Sequence, residues 1–379
     1  MSLRVAIAGG GIAGLATALA LVRAGHRPQV FERRDEGAPA GGAMMMWPNG
    51  MAALDALGVG ARVHAGATAV REVEFRAQHG RSLARWSLAE LGLVHVVFRA
   101  ALLQALREAL PGDAVVTGAT VSSARPQPDA VEFTLADGSH HVADALVACD
   151  GVHSRLRAQL FGTVPPPQLH QLAWLATVPH DDLAAIPHGV AIGSVGRGQR
   201  FCAARIDDAR VFWYATVNAT RRPAAPGVVA LAQAFGSWHD PVAALVRAAE
   251  DPAVELVGPV ELGELAPLRH WCRGRVTLLG DAAHACLPDL GQGAGQALHS
   301  AVVLAQCLGG GADVEAALLR YEQRRRRAVA EVMRTSRLVA SLSMSEAVHI
   351  ASLRELVVGA LLPTVGFPRI ESIAADART

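Results

Sequence analysis

A chain of 379 residues with 51% hydrophobic and 18% charged residues exceeds one ordinary core and is too apolar to be disordered, so two domains, or one large elaborated domain, are expected. The formal charge of +1 gives no electrostatic basis for binding nucleic acid or an anionic membrane surface. Cys149, Cys202, Cys272, Cys286 and Cys307 lie far apart with no C-x-x-C pair, which argues against a disulfide framework and against a zinc site, and suits a reducing cytoplasm.

The first element is Leu3 to Ala8, a short apolar run of the kind that forms a parallel strand covered on both faces. It begins so early that no room is left for a signal peptide. Leu15, Leu19 and Val22 then recur at helical spacing up to a stop at Gly25, and Gln29 to Glu32 reads as a second strand. This is a βαβ unit, and its turn is Gly9-Gly10-Gly11-Ile12-Ala13-Gly14, a match to G-x-G-x-x-G. Gly9 allows the tight turn, Gly11 lets the backbone approach a diphosphate, and Gly14 lets helix and strand pack closely. The first N–H groups of the helix, with Ile12 and Ala13, face the anion. Glu32 can accept from both hydroxyls of an adenosine ribose and would repel a 2′-phosphate. The pattern marks a dinucleotide site without distinguishing NAD from FAD.

Residues 37–42 are Gly/Ala/Pro-rich loop, and Met44, Met45 and Met46 form an apolar run that serves equally as loop packing or as an adaptable wall. Met51 to Leu57 is expected to be a short helix with Asn49 as a cap, and Arg99 to Leu110 a longer one. Val131, Phe133 and Leu135 alternate before an Asp-Gly hairpin turn. Asp144 to Cys149 is another buried strand and delivers Asp150-Gly151-Val152-His153-Ser154-Arg155-Leu156-Arg157. Here Asp150 either caps a helix or accepts a ligand hydroxyl, and the two arginines either meet an anion or face solvent.

From about Thr163 the texture changes. Pro165 to Pro167 break the pattern, and strand-like pieces follow at Leu172 to Val178 and Arg210 to Val217, with a helical stretch at Leu231 to Ala248. On the second of these strands Trp213 and Tyr214 point to opposite faces, so one of the pair is a candidate for a substrate pocket, as are Arg200 and Arg205. Arg275 to Leu279 returns to the apolar strand style and ends at Gly280-Asp281-Ala282-Ala283-His284. Pro288-Asp289-Leu290-Gly291-Gln292-Gly293 then opens a helix to about Leu308. Asp281, at the carboxyl end of a parallel strand, can accept from sugar hydroxyls. Gly291 and Gly293, with Ala294 after them and Pro288 in the same loop, put backbone N–H groups of the glycines where a carbonyl oxygen could become anionic. His284 reads as a loop-orienting residue. Arg324 to Arg327 read as a solvated helix face, and Leu356 to Val365 is too short to span a membrane, which takes ~18 apolar residues.

With these three clusters in view, the chain resembles the FAD-dependent aromatic hydroxylases (single-component class A flavoprotein monooxygenases, p-hydroxybenzoate hydroxylase-like) from residue 3 to about 330. The resemblance identifies Gly9, Gly11, Gly14, Glu32 and Arg33 with the FAD-adenosine fingerprint. It places Arg99 against the FAD, gives Asp150 and Gly151 to both FAD and the nicotinamide coenzyme, and assigns Gly280 and Asp281 to the ribityl and diphosphate groups. It implies an α/β fold with an α+β insert. Residues 1–75, 95–164 and 265–330 would form a Rossmann-like FAD-binding domain, 76–94 and 165–264 a mixed β-sheet substrate domain, and 331–379 a C-terminal helical segment. It further implies that NADH or NADPH reduces the flavin, and that a flavin C4a-hydroperoxide then hydroxylates or epoxidises a small aromatic, heteroaromatic or quinolone-like molecule using O2. The expected assembly is a cytoplasmic monomer or homodimer with no metal and no catalytic side chain, since the chemistry belongs to the flavin. Two departures stand out. His299-Ser300 occupies the place of a common Glu-Asp pair, and Gly295 that of a common Asn. A reductase or halogenase on the same scaffold, or a degenerate FAD-binding scaffold protein, is the alternative. The halogenase reading calls for a catalytic lysine, and the chain contains no lysine.

Overall fold

The short apolar runs at the N-terminus, near 145 and near 276 assemble into one six-stranded sheet in the order Cys272–Arg273, Val276–Leu278, Ala145–Ala148, Arg4–Ala8, Arg27–Phe31, Val115–Val116. All its pairings are parallel except the first. The computed structural model describes residues 2–35, 41–89, 92–162, 168–179, 185–223, 227–309 and 313–346. The Pro165–Pro167 break, the loop positions 37–40 and the stretch Leu356 to Val365 lie outside the described residues.

The central strands read as continuous apolar runs because both faces are covered. Val5, Ile7, Leu146, Val147 and Leu278 are buried, with helix Ile12–Arg23 on one side packing in turn on helix Gly293–Gly309. An antiparallel meander of Val121–Pro126, Val131–Leu135 and His140–Ala143 extends the core. The second large layer is a seven-stranded sheet in the order Val257–Glu264, Gln168–Pro179, Arg210–Asn218, Gln199–Arg205, Val190–Gly196, Glu72–Ala77, Ser82–Ser87. Helices Gly227–Phe235 and Val242–Ala248 cover one of its faces. A three-stranded sheet of Ala43–Met46, Val94–Phe98 and Thr68–Val70 lies between the two layers.

Three sequence boundaries shift. Strand Glu72–Ala77 pairs along its whole length with Val190–Gly196, so the division expected at 75/76 falls inside a strand of the inserted sheet. The helix read across Leu231 to Ala248 is two helices, broken between Gly236 and Pro241. Helix Val314–Ser343 runs without interruption through the division expected at 330/331 and bridges both layers. Its Glu322 accepts from the Trp271 and Cys272 N–H groups, while Asn218 of the large sheet donates to the Met344 carbonyl just beyond its end.

Candidate cofactor and substrate site

The carboxyl ends of four adjacent parallel strands, Val276–Leu278, Ala145–Ala148, Arg4–Ala8 and Arg27–Phe31, bring all three loop clusters to one edge of the sheet. The clusters touch. A Cβ on Gly9 (φ +103°) would stand 2.5 Å from the Cys149 carbonyl oxygen, and one on Gly280 would stand 2.6 Å from the Ala13 Cβ. Arg157 donates to the Ala282 carbonyl at 3.0 Å and to the Val152 carbonyl at 2.6 Å. It is therefore a buried tie between the second and third clusters rather than an anion ligand, while Arg155 is exposed.

Gly11 differs from its neighbours. Among the described residues a Cβ there would meet nothing within 4 Å, whereas a Cβ on Gly14 would run into the Gly9 carbonyl oxygen. Gly14 serves the fold, and Gly11 faces open space at the start of helix Ile12–Arg23. Glu32 is partly occupied, since its carboxylate accepts from the Gly10 N–H at 2.5 Å and the Arg34 N–H at 2.9 Å. Two oxygens carry about four acceptor sites, so capacity remains for ribose hydroxyls. Arg33 beside it is exposed.

Asp150 caps a helix, one of the two roles the sequence allows, and keeps one oxygen over. Its Oδ2 caps helix Arg155–Phe161 through the Arg155 N–H (2.9 Å), joined by Ser154, whose Oγ accepts from the Arg157 N–H. Its Oδ1 is buried with no partner among the described residues, and an unmet buried acceptor calls for a ligand or water. Asp281 is crowded by protein yet open on its cleft side. Burial pushes its carboxyl above the usual range, and the positive charge of Arg99 pulls it partly back. A group so placed gains from a ligand that donates hydrogen bonds to its ionised form.

His284 does not orient the loop through a side-chain hydrogen bond from Nε2, which has no partner among the described residues. Its ring packs at 5.4 Å from Trp271, and burial, reinforced by the Arg325 charge, pushes its pKa down to about 3. Asn49 does not cap its helix, which is Pro48–Ala56 with Trp47 at the N-cap position. Instead it donates to the Gln292 side-chain oxygen at 3.0 Å.

The strand register of the inserted sheet separates its candidates. Trp213 is fully buried with Phe201 and Phe235 beneath the two covering helices and belongs to that core. Arg205 is spent on the turn, donating to the Asp207 carbonyl and to Asp208. Neither is brought to the cleft. Tyr214 points the other way and packs in the cluster containing Met45, Trp47, Phe98, Leu175 and Phe212. Met45 also lies 3.5 Å from the Cβ position of Gly291. Across the same face the register aligns Leu175, Tyr214, Cys202 and Gly193 in one row, and Ala173, Thr216, Arg200 and Val195 in the next.

Arg200 reaches from this wall to the glycine loop. Its Nη1 meets Asp289 Oδ1 at 2.7 Å, with the two side chains 5% and 0% exposed, and its guanidinium lies 5.5 Å from the Tyr214 ring centroid. Burial works against the Arg200 charge, but Asp289, together with Tyr214 and Cys202, outweighs it and holds the group protonated. Arg200 Nε and Nη2 and Gln171 Oε1 have no partner among the described residues. Asp289, Gln171 and Gln292 carried no assigned role in the sequence. An acid beside proline, in a loop with no other charged residue, is the one signal that marks Asp289.

A family model described as FAD binding domain matches residues 2–336. The chain is 34% identical over 329 residues to aurachin C monooxygenase/isomerase of Stigmatella aurantiaca, covering 84% of each chain. It is 34% identical to 3-amino-4-hydroxybenzoate 2-monooxygenase of Streptomyces platensis, covering 88% of this chain and 87% of that one. Among solved structures it superposes with a TM-score of 0.82 on Klebsiella pneumoniae HpxO complexed with FAD and uric acid, at 28% identity and covering 93% and 92% of the two chains. No helix among the described residues is long and apolar enough to cross a membrane.

Proposed function

The chain belongs to the FAD-dependent aromatic hydroxylase family, and from that premise we propose that its three loop clusters hold one extended FAD, with a ring substrate held between loop 288–293 and the Tyr214 wall. It is an FAD-dependent monooxygenase acting on an aromatic or heteroaromatic molecule, with NADH or NADPH as the reductant typical of the class. When bound, FAD supplies the redox chemistry: it takes reducing equivalents from the nicotinamide and activates O2 for transfer of one oxygen atom.

The convergence of the four strand ends carries the reading of the cofactor site. Gly11, Ile12 and Ala13 offer backbone donors to the diphosphate, with Gly14 packing helix to strand. Glu32 takes the adenosine ribose with Arg33 alongside, and Asp150 Oδ1 and Asp281 accept from hydroxyls of the cofactor chain. Gly280 keeps the path clear, and Arg99 balances the carboxylate and diphosphate charges. Pro288, Gly291, Gly293 and Ala294 present the flavin ring to the substrate side.

The substrate wall is mostly apolar, with Met45, Phe98, Leu175, Phe212 and Tyr214, and this suits a flat ring that must be kept from water. The unmet donors of Arg200 support recognition of a ring oxygen, and Gln171 Oε1 supports an adjacent N–H. The five free thiols support a reducing compartment such as the cytoplasm.

The purified protein is expected to be yellow, or to become so with added FAD, and to consume O2 and NAD(P)H faster when offered a suitable phenol, aromatic acid, quinolone or purine ring. A protein that takes up no FAD, or no ring compound that stimulates oxygen uptake, defeats the proposal. Arg200→Lys keeps a charge for Asp289 but loses the forked donors. It is expected to raise KM for the ring substrate about tenfold, the cost of one lost charged hydrogen bond, with FAD affinity unchanged in the same preparation.

A further inference from the structure

Behind loop 288–293 runs a buried chain of amides that begins at a guanidinium. Arg325, 1% exposed on helix Val314–Ser343, donates through Nη2 to Gln296 Oε1 at 2.5 Å, and also donates to Ser300 Oγ (3.2 Å) and His299 Nδ1 (3.1 Å). Gln296 Nε2 reaches Gln292 Oε1 at 3.5 Å. From the opposite side Asn49 Nδ2 donates to that same oxygen at 3.0 Å, and the Gly50 N–H donates to Asn49 Oδ1 at 2.9 Å. Asn49, Gln292 and Gln296 are all buried.

The two ends of this chain can only donate, because a guanidinium and a backbone N–H have no acceptor. The oxygen of Gln296 must therefore face Arg325, and its nitrogen must face Gln292. Likewise the oxygen of Asn49 must face Gly50, and its nitrogen must face Gln292. Two forced donors meet at the Gln292 oxygen, which commits the Gln292 nitrogen to donating on its other side. Rotating that amide by half a turn would set N–H groups against N–H groups in a buried site, an arrangement costing about 1–3 kcal/mol per unmet group.

We infer that Arg325 is a positioning residue for the cofactor loop: through Gln296, and with Asn49 acting from the other side, it holds Gln292 as a fixed N–H donor between Gly291 and Gly293, where it favours the more negative, reduced form of FAD. This rests on the reading that FAD lies against loop 288–293. Reduction gathers negative charge on the flavin ring, and a donor that cannot turn away stabilises that charge without reorganising.

The test is the midpoint potential of bound FAD, read spectrophotometrically against a reference dye, with FAD affinity measured on the same samples. Gln292→Leu is expected to lower the reduced-to-oxidised ratio about tenfold, about 30 mV for a two-electron couple. Gln296→Met, close in size, is expected to shift it in the same direction by a few-fold, and the double variant to sit no lower than Gln292→Leu alone. Gln296→Glu keeps an acceptor for Arg325 but cannot donate to Gln292, so it too is expected to lower the potential. The inference is overturned if both Gln296 variants bind FAD with the wild-type potential, or if the Gln292 and Gln296 shifts simply add. If the wild-type protein takes up no FAD, the reading of the site fails first and the inference goes with it.

Discussion

Gly11 and Gly14 share one motif but are held there by different forces, and that difference can be measured. A methyl group on Gly11 meets no other atom among the described residues, while one on Gly14 collides with the Gly9 carbonyl. Gly11→Ala is expected to keep the wild-type melting temperature without cofactor and to lose FAD affinity by tenfold or more. Gly14→Ala is expected to fail in both, by several kcal/mol of stability, because the clash is with backbone that cannot yield. Melting curves with and without FAD separate the two. Asp281 carries a sign as well. Its carboxyl is raised by burial, so the ionised form is a burden to the cofactor-free fold that appears as pH rises through its shifted value and is absent below the ordinary aspartate range. Its open side lets water screen part of that burden. Asp281→Asn is therefore expected to melt higher than wild type at pH 7 without FAD, to show no such gain near pH 3, and to bind FAD about tenfold more weakly. A variant that melts lower at pH 7 would contradict the assignment.

At the level of elements, strand Arg210–Asn218 puts two aromatic neighbours into different jobs. Trp213→Ala opens a cavity in the core under helices Gly227–Phe235 and Val242–Ala248, and is expected to cost about 3–5 kcal/mol. Tyr214→Phe leaves that core untouched and is expected to change KM for the ring substrate with little change in denaturation midpoint. Parallel urea melts and steady-state kinetics decide the point. Strand alternation made the opposition of these two residues legible from sequence, but not which of them faced the cleft, since that depends on where the covering helices pack. The same limit applies to the rest. The βαβ unit, its glycine turn and the later apolar strands carry local signals strong enough to read, and the order of the three clusters carried the family. The boundary at 75/76 was misread because what ties Glu72–Ala77 to the inserted sheet is its pairing with the distant Val190–Gly196, beside the local hairpin with Ser82–Ser87. The Arg200–Asp289 pair and the Asn49–Gln292–Gln296–Arg325 chain join residues far apart in sequence, and no periodicity announces a contact of that kind. The arginine run 324–327, read as a solvated face, hides one fully buried member, Arg325, where His299 and Ser300 stand in the place of the common acidic pair.

Across the whole molecule, helix Val314–Ser343 acts as the strap between the cofactor body and the inserted sheet. Ser336 Oγ donates to the Leu287 carbonyl at 2.6 Å, Arg337 pairs with the buried Glu264 at 2.6 Å, and Asn218 meets the Met344 carbonyl and Glu346 just past the helix end. The double variant Asn218→Ala, Ser336→Ala is expected to lose about 1–3 kcal/mol. It is also expected to unfold in two steps, with tryptophan emission from the sheet changing before FAD is released. A single coincident transition would mean that the two layers hold together without the strap.

The placement of Ala145–Ala148 between Arg4–Ala8 and Val276–Leu278 also bears on how the protein is made. On the ribosome this apolar strand must wait, one edge open, while five of the seven strands of the inserted sheet are synthesised, and translation adds only about 5–20 residues per second. The third of the three loop clusters proposed to hold FAD emerges last. Flavin therefore cannot meet a complete site until residue 293 has been made, so the yield of active protein depends on chaperone cover until then and on vitamin supply afterwards.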